Sequence, residues 1–210
     1  MLYLTRMTLL IFGDSRSGNC LKVKWTASRM GVAYEWQEVD VLSGSTRTPE
    51  FLKMNPAGQV PAVILPDGRP LAQSNAIALY LAEGSDLIPQ DRYERARMHE
   101  WLFWEQYSHE PTIAVARFKV LFQGQPAAGL DPSLVQRGEA ALRRLEQGLE
   151  GRSWLVGEAP SLADIALVAY TRWAHEGGFD LQPYAAIRGW IDRCEDAFAI
   201  EEPRDTVMTR

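Results

Sequence analysis

Cysteine and histidine are scarce in this chain, with two and three copies in 210 residues. Cys20 and Cys194 lie far apart, which excludes a disulfide-stapled scaffold or a metal knuckle. His99, His109 and His175 lack ligand spacing, so no bound metal is expected. Positive charge is also short: 22 Lys and Arg against 27 Asp and Glu leave a net charge of −5. No broad basic field is available for a phosphate backbone, which argues against nucleic acid as a partner. Long apolar runs are missing as well. The run at residues 9–12 falls far below the roughly 20 residues of a bilayer span, and no basic segment followed by a long apolar core marks a signal peptide. The expectation is a soluble, cytoplasmic protein with no membrane partner. Internal repeats and low-complexity tracts are absent too.

What is present divides the chain in two. Residues 8–12 and 34–41 read as strands, with a helix over 21–30 between them. A short helix follows over 49–54, with Thr48 as N-cap and Pro49 at its first position. Residues 62–65 and 70–72 form a hairpin around the turn Pro66, Asp67, Gly68, and Ser74 caps a largely buried helix through Ala82. From Gly84 to Pro89 the composition is that of a linker, and beyond it the pattern is helical only. The expected domains are 1–84, mixed α/β, and 91–210, all-α. A long helix over 92–110 carries Trp101, Leu102, Phe103, Trp104 and Tyr107, mostly as core, and Pro111 must kink or end it. Further helices start at Asp131 and Pro132, with Gly151 as a stop, at Ser161 and at Tyr184, and residues 201–210 read as a polar, disordered tail.

Three short segments carry chemistry. In "GDSRSGNCLKVKW", Ser17 stands in the first turn of a helix, where unpaired amides and the dipole favour an anion. Ser17-x-x-Cys20 has the spacing of a CxxC site whose first cysteine is a serine. Such a site lacks its own nucleophile and suits a thiolate brought by a ligand. Cys20 itself reads as a small packing residue. At Val60-Pro61 a cis bond at a strand end leaves the Val60 backbone able to pair with an extended peptide. At Gln73-Ser74, Ser74 and the amides after it offer a carboxylate site, while the Gln73 side chain can bond an amino group. Together these describe a slot for a short peptide with a central thiol and a terminal carboxylate.

The stretch "NPAGQVPAVILPDGRPLAQSNAIALYLAE" resembles the glutathione-binding half of cytosolic glutathione S-transferases, and "SWLVGEAPSLADIALVAY" is similar to their helical half. The resemblance covers residues 7–198. It implies an N-terminal thioredoxin-like domain followed by a C-terminal helical bundle, glutathione as co-substrate, a small electrophile or peroxide as second substrate, and a homodimer acting in detoxification. Carried over, Ser17 matches the thiol-activating serine of theta- and zeta-like classes. Gln59, Val60, the cis-proline Pro61, Gln73 and Ser74 match glutathione-binding positions. Many relatives have Glu where this chain has Gln73, and "SRSGNC" matches no class motif letter for letter. Ser15 therefore stands as a rival to Ser17, with Arg16 and Asn19 as supporting donors. In the helical half, Tyr107, Thr112 and Phe118 are the candidate electrophile-pocket residues, and Asp164 is a helix cap. Two other functions share the resemblance: a zeta-type cis-trans isomerase, for which Arg16 and Arg117 would supply cations, and a non-catalytic interaction module.

Overall fold

In this computed structural model, which describes residues 8–206, the chain divides into two compact units, one running up to Ser85 and the other from Asp86. The first is built on strands β1 (Leu9–Gly13), β2 (Tyr34–Glu38), β3 (Ala62–Ile64) and β4 (Pro70–Ala72), ordered β2-β1-β3-β4. β2 lies parallel to β1, while β3 pairs antiparallel with both β1 and β4. Helices α1 (Gly18–Arg29), α2 (Pro49–Met54) and α3 (Ser74–Leu81) complete a thioredoxin-like unit. Alternation along β1 decides the packing. Leu9 and Ile11 join Val23 and Ala27 of α1, Val63, Leu65 and Ile77 of α3 in one apolar cluster. Phe12, on the other face, packs with Val39, Phe51 and Ala62. Each fully buried aliphatic side chain contributes roughly 1.5–3 kcal/mol over exposure, so β1 is clamped on both faces.

Several element boundaries differ from the sequence reading. α1 begins at Gly18 rather than residue 21, which makes Ser17 its N-cap and not part of its first turn. β2 stops at Glu38 because the chain turns away after Val39, whose amide still bonds Gly13, and the Val41 amide goes to Asp14 Oδ2. α3 takes Gln73 as N-cap and Ser74 as its first residue. Its face is less buried than its composition suggests: Ala76 and Tyr80 are exposed. Thr48, by contrast, caps α2 as read, accepting from the Phe51 amide at 3.2 Å.

The second unit is helical: α4 (Arg92–Trp104), α5 (Glu110–Arg117), α6 (Pro132–Leu149), α7 (Leu162–Thr171) and α8 (Ala185–Ala197). Pro111 does not end the long helix. A π-helical turn over Glu105–His109, in which the Glu110 amide bonds Glu105 O, widens the ladder ahead of the proline ring, and α5 continues from it into a second π turn at Phe118–Phe122. The aromatic run is only partly core: Trp101 is buried, whereas Phe103 and Tyr107 are 75% and 87% exposed. α7 is buried along its whole length, starting from the Ser161/Asp164 capping box. The tail read as disordered is packed through Thr206. Arg172 donates to the carbonyls of Glu202 and Pro203, the Trp173 indole donates to Pro203, and Arg117 donates to Thr206 Oγ1. Residues 207–210 lie outside the described residues.

Candidate functional site

The sheet register brings the three chemistry-bearing segments together. Phe12 pairs with Ala62, and Ala62 with Ala72. The end of β1 leading to Ser17, the start of β3 just after Pro61, and the end of β4 leading to Gln73 and Ser74 therefore lie at one end of the sheet. A connection of α1 to α3 tightens the cluster: the Ser74 hydroxyl donates to Asn19 Oδ1 at 3.1 Å.

The loop before Ser17 is held by acids. Glu38 Oε1 accepts from both the amide and the hydroxyl of Ser15, at 2.8 and 3.0 Å, while Glu38 Oε2 accepts from the Trp36 indole at 2.6 Å. Trp36 in turn crosses Gly13, where an added Cβ would lie 2.5 Å from the ring, so the close approach requires glycine. Asp14, 1% exposed, takes the Arg16 amide and Nε at 2.9 Å and its Nη2 at 2.7 Å, and Arg16 also reaches Asp40. Ser15, the rival to Ser17, thus serves Glu38 with its hydroxyl. Arg16 is engaged with two carboxylates. Burial pushes the Asp14 carboxyl up, but the side-chain and backbone donors of Arg16 together outweigh it and hold the group below its ordinary value. A carboxyl depressed in the folded state stabilises it above the unfolded value near 3.8 and loses that contribution as pH falls through the lower folded value. Thermal scans between about pH 5 and pH 2 are expected to show a flatter acid limb for Asp14→Asn than for the parent chain.

Ser17 is the N-cap of a twelve-residue helix, with φ −95° and ψ 118°, yet its side chain makes no capping hydrogen bond. Its backbone is fixed by Ser17 N to Asp14 O at 2.9 Å and by Cys20 and Leu21 amides to its carbonyl, each 3.0 Å. The side chain instead meets Cys20. Burial pushes the Cys20 thiol up to about 12, against a weaker opposing hydrogen bond from Ser17. Burial also raises Cys194 well above its ordinary value. Burial thus disfavours the thiolate form of both cysteines. Among the described residues no group of three His, Cys, Asp or Glu could hold a metal.

The Val60-Pro61 peptide is cis. Val60 is half-buried between exposed Gln59 and buried Pro61, and no described residue hydrogen-bonds its backbone N–H or C=O. The Gln59 carbonyl is occupied, accepting from Asn55 Nδ2 at 2.7 Å. Gln73 is exposed and sits at φ 72°, ψ 112°, a conformation that costs a non-glycine residue about 1–3 kcal/mol and that clusters at binding sites. Gln73→Gly is therefore expected to raise unfolding stability by about 1 kcal/mol while removing the side-chain amide from the site. Denaturant titration checks the first half, and a loss of ligand affinity in the stabilised protein checks the second.

In the helical unit, Tyr107 is exposed on the first π turn, and Phe118 stacks on Phe122 at 5.3 Å in the second. Thr112 is buried, with its hydroxyl donated to the carbonyls of Ser108 and His109. Arg117 is 2% exposed, paired with Glu176 at 2.5 Å and stacked over Trp173 at 4.3 Å. The cations that an isomerase would aim at a dicarboxylate are thus both already facing carboxylates. His109 is buried, its Nε2 lying 2.9 Å from Thr171 Oγ1. Sequence reasoning missed Asp14 and Glu38 as the groups that shape the Ser17 loop; Asp14 is buried while Glu38 is exposed and reaches Ser15 from β2, a partner distant in sequence that leaves no local motif.

Comparison with known proteins agrees with this fold. Residues 16–83 match the glutathione S-transferase N-terminal domain model, and residues 118–197 match the glutathione S-transferase C-terminal domain model. A curated relative, glutathione S-transferase GST-4.5 of Xanthomonas campestris pv. campestris, is 31% identical over 169 residues, spanning 74% of this chain and 79% of the relative. Solved glutathione S-transferases from Xanthobacter autotrophicus Py2 and Pseudomonas fluorescens Pf-5 are each 45% identical. They superpose with TM-scores of 0.84 and 0.86, covering 90% and 95% of this chain and 93% and 98% of theirs. With both halves matched and the thioredoxin-like and helical units in place, the chain belongs to the glutathione S-transferase family.

Proposed function

We propose that this glutathione S-transferase binds glutathione at the end of its sheet where β1, β3 and β4 meet the Ser17, Pro61 and Gln73 loops, and ionises the thiol beside Ser17. The Ser17 hydroxyl donates to the sulfur, the Val60 backbone pairs with the cysteinyl residue, and Gln73 with Ser74 receives the γ-glutamyl group. Gln59 and Asn19 flank the peptide, and Ser15 supports the loop from Glu38. A thiol of ordinary pKa near 8.5 is only a few per cent ionised at neutrality. A downward shift of about two units needs roughly 2.7 kcal/mol of preference for the anion, within reach of one charge-assisted hydrogen bond plus a helix N-terminus. The thiolate then attacks a small electrophilic carbon, forming the S–C bond as the leaving group departs with its electron pair, or it reduces a peroxide. Tyr107, Thr112 and Phe118 are the residues proposed for the electrophile side.

The convergence of Ser17, Val60 and Gln73-Ser74 at one end of the sheet carries this reading. Family membership supports a cytoplasmic homodimer, and the exposed rings of Phe103 and Tyr107 suit a subunit seam. No described helix is long and apolar enough to cross a membrane. Calorimetry with glutathione, followed by ultraviolet titration of the bound thiol, tests the proposal. Uptake with a lowered thiol pKa supports it; no uptake, or a thiol as hard to deprotonate when bound as when free, overturns it.

A further inference from the structure

Two serines stand in the turn before α1, and the fold treats them differently. The parallel register pairs Gly13 with Glu38, which sets the end of β2 beside the chain two residues ahead of Ser15. Both polar hydrogens of Ser15 go to Glu38 Oε1, the amide at 2.8 Å and the hydroxyl at 3.0 Å. A carboxylate only accepts and a hydroxyl has one proton, so what Ser15 Oγ keeps for a ligand is lone pairs, which repel an anion. The acid is held from both sides. Its Oε2 accepts from the Trp36 indole at 2.6 Å, and the Trp36 ring lies so close over Gly13 that an added Cβ there would come within 2.5 Å of it. Ser17, two residues after Ser15, is the N-cap of α1, and its side chain faces the Cys20 thiol.

We propose that Glu38 is a positioning residue that keeps the Ser15 hydroxyl from the sulfur, so that one serine and not two stabilises the bound thiolate. The inference rests on the glutathione reading above and assigns a control over its thiol. Reactivity gives the arrangement a purpose. A second donor would lower the thiol's pKa further, yet nucleophilicity falls with pKa along a Brønsted slope of about 0.4–0.5, and the best attacking thiol has a pKa near the ambient pH. One donor leaves a sulfur that is ionised and still attacks. The charge of Glu38 acts in the same direction as the proton it takes. Burial is the main reason that the Cys20 thiol beside Ser17 resists ionisation, and the charges of Asp14 and Glu38 add to it. A ligand's sulfur brought to this corner meets the same two charges.

Ultraviolet titration of bound glutathione on the full chain reads the effect. Ser15→Ala in the parent is expected to leave the thiol's pKa where it was. Glu38→Ala, at an exposed position that leaves the core intact, is expected to lower it by about one unit, the scale of one added hydrogen bond to a charged group. In kcat against pH, the acid limb moves down by the same amount and the plateau falls about threefold, because the thiolate is less nucleophilic. The double variant Glu38→Ala with Ser15→Ala returns the pKa most of the way to the parent's, and the remainder, due to the lost charge, disappears in high salt. A residue that only braced the turn gives the opposite sign: a loosened turn loses donors and the thiol's pKa rises, which overturns the proposal. Ser15→Ala silent in both backgrounds also overturns it, since Ser15 then lies out of the sulfur's reach and Glu38 withholds nothing. So does Ser15→Ala raising the pKa in the parent. Each of these results in a parent that binds glutathione removes the role of Glu38 alone. A parent chain that takes up no glutathione overturns the glutathione reading itself.

Discussion

Ser17→Ala is expected to cut the ionised fraction of bound glutathione at around pH 6.5 from about half to between about one and ten per cent, the lower figure if the hydroxyl supplies the whole two-unit shift and the upper if the helix N-terminus retains about half of it. The rate loss is smaller than that ratio. A thiolate of higher pKa is intrinsically more nucleophilic, with a Brønsted slope of about 0.4–0.5, which restores part of the loss and leaves a fall of about two- to eightfold in kcat/KM. The gap should close as pH rises past the thiol's own pKa, since both proteins then hold the anion. Glutathione affinity should change little, because Val60, Gln73 and Ser74 still hold the peptide. Rate against pH for parent and variant, with ultraviolet absorbance of the bound thiolate, checks each part. An unchanged rate profile in Ser17→Ala, with the loss appearing in Ser15→Ala, would transfer the role to Ser15 despite its bonds to Glu38.

The second large effect is on stability. Asp164 is wholly buried and its carboxyl accepts from four donors: the Leu155 amide at 3.0 Å and Trp190 Nε1 at 2.9 Å on one oxygen, and the Ser161 amide and hydroxyl at 2.9 and 3.0 Å on the other. Burial pushes this carboxyl up, and these donors pull it partway back. The group joins the start of α7, the loop before it and the fully buried Trp190 of α8. Asp164→Ala leaves those donors inside the helical unit with nothing to bond. At about 1–3 kcal/mol for each unsatisfied buried donor, a loss on the order of 4 kcal/mol follows. Denaturant unfolding should show it as a lower midpoint. Asp164→Asn should fall between the two, since one carboxyl oxygen survives while the other is replaced by a donor facing donors. A variant within about 0.5 kcal/mol of the parent would show that the network contributes little.

Local chemistry made much of this chain readable. Thr48-Pro49 marks the start of α2 because a hydroxyl can cap and a proline fits the first turn, and Pro66-Asp67-Gly68 marks a turn because Gly68 takes φ 87°. The all-round apolar run after Ser161 announces a core helix, and it is one. Failures came where a neighbour distant in sequence decides. Pro111 looks like a stop in one dimension, but a π turn ahead of it absorbs the ring and the helix runs on. The polar residues after Glu201 look disordered, yet buried Arg117 and Arg172 need partners and find several of them there. The aromatic run from Trp101 to Tyr107 reads mostly as core, and the register of the helix decides that Phe103 and Tyr107 are the rings turned outward.

The amino-acid sequence by itself determined the two-unit architecture, the family and the residue types at one end of the sheet, because periodicity, caps and turns act over a few residues. Tertiary structure alone decided which way the polar atoms point. Asp14 and Glu38 shape the Ser17 loop, and the Asn19 oxygen accepts from both Lys22 and Ser74. A hydrogen bond has a donor end and an acceptor end, and which end faces a ligand depends on partners brought in from elsewhere in the chain.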